Sequence, residues 1–336
     1  MTNGCLRNIL DKSECIKPDS LTGIIFAMEG IKKAMVLLNG PMGCKFYHST
    51  TSQFLSLRPM LHLPSGDGEQ KVPVDYNYLN EWFFRQPRVP STALDGYDYV
   101  YGTGEKVAEA LKYIHDMVDF DLLAIVNSPG ASLIGDNLKE LADRILPDKN
   151  CVMLESPGYS LEYDEGYQIA SLELLKQMKG LINQEDFENK NAADKKRVNL
   201  LGLSIWDRYL EGDRAEWKSM LDLCGIEVNC CLCAENTFEE LRNITKADLN
   251  IVIDPDRSLE SAKYLKQTYG MEYYICESLP VGFAATEKII GDICGILHEN
   301  AQAFTAASEY ARAVVYSKVN DIYHMCGLPR GATFAV

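Results

Sequence analysis

The 336-residue sequence predicts an α/β protein with parallel sheets flanked by helices. Three observations predict it. Short apolar runs recur along the chain, segments of helical periodicity separate most neighbouring runs, and one polar stretch, NQEDFENKNAADKK, divides the alternation in two.

The runs that read as strands are Ala34–Asn39, Tyr97–Tyr101, Leu122–Asn127, Cys151–Glu155, Val198–Ser204, Glu227–Leu232, Leu249–Ile253 and Tyr273–Cys276. Two segments break the rhythm. Pro64–Leu94 opens with PSGDGEQKVP and has an aromatic centre, YNYLNEWFF, which predicts a long loop carrying a short helix. Asn183–Lys196 is charged and polar and predicts a linker. The expected organisation is therefore two Rossmann-like domains, residues 1–182 and 197–297, with a helical tail over 298–336. After Val281 the pattern is helical to about Tyr323, and Gly and Pro in GLPRGATFAV stop it. The closing TFAV reads like the start of a further strand.

Composition narrows the function classes. With 46% hydrophobic and 24% charged residues the chain can bury sizeable cores. Its opening lacks a basic segment followed by a long apolar run, and no stretch approaches eighteen consecutive apolar residues, so a cytoplasmic location is expected. The formal net charge is −15, and 33 Lys and Arg are scattered among 48 Asp and Glu. Binding a phosphate backbone needs clustered positive charge, so nucleic acid and anionic membranes are not expected partners. Eleven cysteines without an export signal argue for reduced thiols, either buried or ligating metal, rather than a disulfide framework.

Cys15 and Cys44 form the first constellation. Gly40, Pro41 and Gly43 follow the strand AMVLLN directly, which holds Cys44 on a tight turn at a strand's carboxyl end, where open α/β sheets bind ligands. An iron–sulfur cluster needs thiolates on such a rigid loop. A buried cysteine beside a structural turn fits the same spacing. A second group, CGIEVNCCLCAEN, places Cys231 and Cys233 on one face of an extended strand, either lining a cavity near Asp254 or filling core. Cys151, Cys276, Cys294 and Cys326 read as core. The five histidines lack zinc spacing, although His48 lies four residues past Cys44. No phosphate-binding G-x-x-x-x-G-K-[ST] occurs, so any ATP hydrolysis belongs to a partner.

With those residues in view, the sequence resembles nitrogenase component 1 and its relatives. Cys15 followed by Cys44 in NGPMGC is similar to the family's paired cluster cysteines. The likeness continues in order through STALDGYDYVYGTGEKVAEAL, NSPGASLIGDN, ESPGY, GYQIAS, LEGDRAEW, NTFEEL, KADLNIVI and YGMEYYICESLPVGFAATEKI, nearly the whole chain. The resemblance implies a nitrogenase component 1-like fold and a 4Fe–4S cluster held by Cys15 and Cys44, beside Gly43, at a subunit interface. Ser128 stands where catalytic subunits carry a third cluster cysteine. Either Ser128 supplies an oxygen ligand or, as the resemblance favours, two cysteines from each of two chains complete the cluster across a two-fold axis.

Asp254 aligns with the cysteine that anchors the iron–molybdenum cofactor, and Tyr167 with a substrate-proximal histidine, so the resemblance implies a substrate other than dinitrogen. Asp254 would then be a proton donor or polar contact, or simply a helix cap. The implied partners are a second copy or a paralogous subunit, an ATP-dependent iron protein, and a separate polypeptide for the family's third domain. The implied activity is electron transfer to a small molecule or tetrapyrrole, with a second metal cluster or tetrapyrrole as the other cofactor. A cofactor-assembly scaffold or carrier, or a supporting partner subunit, is the competing expectation.

Overall fold

A computed structural model describes residues 18–44, 89–158, 160–183 and 195–326, with the backbone of 60–65 and 68–73. Helix α1 (Ser20–Glu29) leads into strand β1 (Ala34–Asn39). An antiparallel hairpin, β2 (Met60–Ser65) and β3 (Gly68–Pro73), follows. Helix α2 (Gly104–Met117) runs into β4 (Val118–Asp119), which pairs with β2. Then come β5 (Leu122–Asn127), α3 (Leu138–Ile145), β6 (Asn150–Glu155) and α4 (Tyr163–Gln177). The second half comprises β7 (Arg197–Leu201), α5 (Leu210–Leu223), β8 (Glu227–Cys231), β9 (Leu249–Val252), α6 (Pro255–Tyr269), β10 (Tyr273–Ile275), α7 (Phe283–Leu297) and α8 (Gln302–Cys326). No described helix is long and apolar enough to cross a membrane.

Two parallel sheets carry the fold, ordered β1-β5-β6 and β10-β9-β7-β8. β1 and β5 are buried on both faces, which is why they read as continuous apolar runs. Their side chains alternate between two cores. Val36, Leu38, Ala124 and Val126 face α1 and α4, while Met35, Leu37, Leu123 and Ile125 face α2 and α3. The first of these cores continues without a break into the second sheet, through Leu200, Leu201, Ile251 and Val252.

Two helices make that continuity. α1 starts at Asp19, whose carboxylate accepts the Thr22 amide at 2.9 Å, and it is buried from Ser20 to Met28. It crosses α4 at backbone contact: a Cβ on Gly23 would lie 2.0 Å from the Tyr163 carbonyl oxygen, and one on Gly166 would lie 2.0 Å from that of Ser20. The opposite side of α4 meets α6, where the buried hydroxyls of Ser171 and Ser261 are 2.9 Å apart.

Several expectations need correction. Tyr97–Tyr101 is not a strand, because Asp98–Tyr101 forms one helical turn. Asp95 accepts the Tyr97 amide at 2.8 Å and Asp98 accepts the Asp95 amide at 2.7 Å, so local side-chain bonds close a turn that no described strand opposes. The loop expected over Pro64–Leu94 contains the end of β2 and all of β3. Pro64 is tolerated there because β2 pairs with β4 only at Met60 and Leu61, so that no described strand opposes Pro64 on that side. β8 ends at Cys231, and Cys233 lies beyond it with φ +56°, so Cys231 and Cys233 do not share an extended strand. The short helix expected within YNYLNEWFF and most of the linker lie outside the described residues.

Candidate functional site

The carboxyl edge of the first sheet is a row of polar residues in register. Asn39 pairs with Asn127, and Asn127 with Glu155. Asn39 Nδ2 donates to Asn127 Oδ1 at 2.9 Å and to Thr103 Oγ1 at 3.1 Å. Asn127 Nδ2 donates to Glu155 Oε1 at 2.8 Å, and the Thr92 hydroxyl donates to Asn39 Oδ1 at 2.9 Å. Each strand then turns through the same chemistry: Asn39-Gly40-Pro41, Asn127-Ser128-Pro129 and Glu155-Ser156-Pro157. That threefold repeat is visible in the sequence, and sequence reasoning missed it as the signature of one interlocked edge.

Cys44 sits on the first of these turns. Its amide donates to the Pro41 carbonyl at 3.2 Å, and the residue is partly exposed. Among the described residues a Cβ on Gly43 would meet nothing within 4 Å, so none of them crowds that side of the turn. Gly40 is different, because a Cβ there would come within 2.7 Å of both Cβ and Oγ of Ser128. Only glycine lets the turn lie on Ser128. Ser128 is buried and its Oγ accepts the Ala131 amide at 3.4 Å, which makes it a support beneath the turn. Met42, Tyr97, Tyr101 and Leu133 are exposed on this part of the molecule. Cys15 and His48 lie outside the described residues.

The second cluster lies at the carboxyl end of the second sheet, where α4 from the first half meets it. Arg257 Nε donates to Asp164 at 2.7 Å and Nη1 to Asp207 at 2.8 Å, while Asp254 Oδ2 is 3.4 Å from Nε. The guanidinium lies 5.5 Å from the centre of the Tyr163 ring. Its side chain is 14% exposed. Burial opposes its charge, but Asp207 and Asp164 outweigh that and hold it protonated. Asp254 Oδ1 also accepts the Asp256 amide at 3.0 Å and caps α6. Burial pushes its carboxyl upward, against the pull of Arg257. Gly202, at φ +100°, lets β7 end against Asp254, since a Cβ would be 2.7 Å from the Asp254 amide nitrogen.

Two expected site residues are differently placed. Tyr167 is 1% exposed, and its hydroxyl donates to the carbonyls of Leu203 at 2.7 Å and Cys233 at 2.9 Å. It ties α4 to the second sheet. Cys233 is fully buried in the turn after β8, its amide donating to Asn236 Oδ1 at 2.9 Å, and it packs in the hydrophobic core. Burial raises its thiol's pKa. The neighbouring Cys224, Cys230 and Cys231 are core residues as well. Among the described residues no three His, Cys, Asp or Glu side chains are arranged to hold a metal ion.

Comparison with known proteins agrees with this architecture. The sequence profile of nitrogenase component 1 type oxidoreductases matches residues 20–327. A light-independent protochlorophyllide reductase chain from Synechococcus sp. strain CC9902 is 27% identical over 246 residues, 71% of this chain and 44% of that protein. Its counterpart from strain CC9605 is 27% identical over 274 residues, 80% of this chain and 51% of that protein. A solved structure described as nitrogenase Cp1 at pH 6.5 superposes with a TM-score of 0.66 at 21% identity, over 92% of this chain and 54% of that one. The chain thus spans about half the length of the relatives it matches.

Proposed function

The chain belongs to the nitrogenase component 1-type oxidoreductase family, and from that premise we propose that it is a cytoplasmic reductase subunit that binds a 4Fe–4S cluster through Cys15 and Cys44, shared with a second copy or paralogous subunit. An ATP-dependent iron protein supplies the electrons, and a small molecule or tetrapyrrole, not dinitrogen, receives them. The observation that carries the reading is the Cys44 turn: partly exposed, locked to three strand ends by the Asn39–Asn127–Glu155 row, and uncrowded beside Gly43 by any described residue. That edge fits a cluster whose ligands must be rigid and whose bulk needs room.

When bound, the cluster supplies one-electron storage and transfer. The chain's own residues do the rest. Gly40 and Ser128 fix the height of the Cys44 turn, and Gly43 leaves space for an inorganic group. Met42 and its exposed neighbours offer apolar surface to a partner subunit. At the second sheet, Asp254 is the group suited to hold a proton for a substrate, because burial has raised its carboxyl. Tyr167 supports that strand end from beneath. Arg257, 3.4 Å away, pulls the same carboxyl the other way, and a hard carboxyl in place of a soft thiolate supports a substrate other than dinitrogen.

The test is anaerobic purification followed by iron and sulfide analysis and electron paramagnetic resonance. The expected result is about four irons per dimer with a reducible cluster signal, lost in Cys44→Ala while the circular dichroism spectrum is kept. A colourless, iron-free dimer after reconstitution, or undiminished iron in Cys44→Ala, rejects the proposal.

A further inference from the structure

A cavity of about 620 Å³ opens beside the second sheet, on the face turned toward α5, α7 and α8. It is within the range of small-ligand sites. Its position is one the topology favours: succession runs from β7 outward to β8, then from β9 outward to β10, so the order reverses between β7 and β9. Leu203 and Ile253, just past the carboxyl ends of those two strands, form its floor. Trp217, Met220, Phe283 and Phe304 form apolar walls.

Charge on the lining has one sign. Among the described residues, Asp213 and Glu216, one turn apart on α5, are its only ionisable groups, and no Lys, Arg or His contributes to it. Arg312, which follows the lining residue Ala311 on α8, is already paired with Glu287 and lies 5.2 Å from the centre of the Phe283 ring. We infer that this cavity binds an apolar organic cation, an aromatic or branched hydrocarbon body bearing an ammonium or amidinium head, with the body between Trp217 and Phe283 and the head at Asp213 and Glu216. A polycarboxylate such as an unesterified tetrapyrrole meets like charge at the rim and no counterion inside. Identifying this ligand as the substrate rests on the reductase reading; the binding itself does not.

Three probes of similar size test it: 4-phenylbutylammonium, 4-phenylbutanol and 4-phenylbutyrate, each titrated into the full chain by calorimetry. The ammonium is expected to bind about 1.5- to 5-fold tighter than the alcohol, the range for rim-exposed ion pairs, and the carboxylate weaker than both. In Asp213→Asn/Glu216→Gln the ammonium and alcohol should bind equally, while Ala307→Trp, at the mouth, should abolish binding of all three. No saturable binding, equal affinity for the three probes, or a preference that survives the double substitution overturns the inference. Iron content is read in the same samples, so loss of the cluster and loss of the cavity site are distinguished.

Discussion

Replacing Arg257 with Gln removes the one cation that Asp164, Asp207 and Asp254 share. Breaking a buried ion pair from one side costs about 3–5 kcal/mol, because the remaining charge stays buried and unpaired. Here the guanidinium is 14% exposed but the three carboxylates are 25–29% exposed, so water recovers part of the loss. About 2–4 kcal/mol is expected at neutral pH, a large share of the 5–15 kcal/mol typical of a domain. The sign with pH follows from linkage. Burial already raises the Asp254 carboxyl against the pull of Arg257, and without the guanidinium it rises further, so the folded variant binds more protons than the unfolded one and its stability improves as pH falls through that raised value. Urea denaturation at pH 8 and pH 5, with circular dichroism, should show a deficit at pH 8 that shrinks at pH 5. A deficit under about 0.5 kcal/mol at pH 8, or one that does not change with pH, refutes the account of Arg257 as the counterion of the junction.

Other outcomes follow from close contacts. Gly166→Ala forces a methyl into the Ser20 carbonyl at the α1–α4 crossing and should cost about 3 kcal/mol or more, whereas Gly43→Ala, with open space around it, should stay within about 0.5 kcal/mol in urea melts. Tyr167→Phe leaves the Leu203 and Cys233 carbonyls without their hydroxyl donor and should cost about 1–3 kcal/mol. Amide exchange near residues 203–206 should accelerate with it, and a variant as stable as the parent would remove Tyr167 from its tying role.

What the sequence revealed followed locality. Ala34–Asn39 and Leu122–Asn127 are strands as expected, because a strand buried on both faces leaves an unbroken apolar run that flanking turns delimit. Tyr97–Tyr101 misled because alternating aromatics mimic a strand, while the deciding bonds come from Asp95 and Asp98. The β2–β3 hairpin was hidden by Pro and Gly in PSGDGEQKVP, which read as loop. The Cys44 turn was legible, since Gly-Pro-x-Gly directly follows an apolar run. The Arg257 cluster was not: its partners Asp164 and Asp207 stand 93 and 50 residues away, and nothing local to any of them announces the meeting.

Thiol reactivity offers a separate view of the cluster edge. Burial pushes Cys151 up to about 11 and both Cys224 and Cys276 to about 12, and it raises Cys230, Cys231, Cys233 and Cys294 as well. The thiolate is the nucleophile, so at pH 8 a thiol near 11 is ionised to roughly one part in a thousand and its alkylation is correspondingly slow. Cys44 differs in being partly exposed on a turn. Brief treatment of the iron-free protein with iodoacetamide, read by peptide mass spectrometry, should therefore label Cys44 ahead of those seven. After anaerobic reconstitution a thiolate bound to iron is no longer available to the reagent, so labelling of Cys44 and Cys15 should fall together while the slow background at Cys151 is unchanged. Equal labelling of Cys44 with and without iron would remove it from the ligand set, and protection of Cys44 without Cys15 would leave the turn in place but require a different second thiolate.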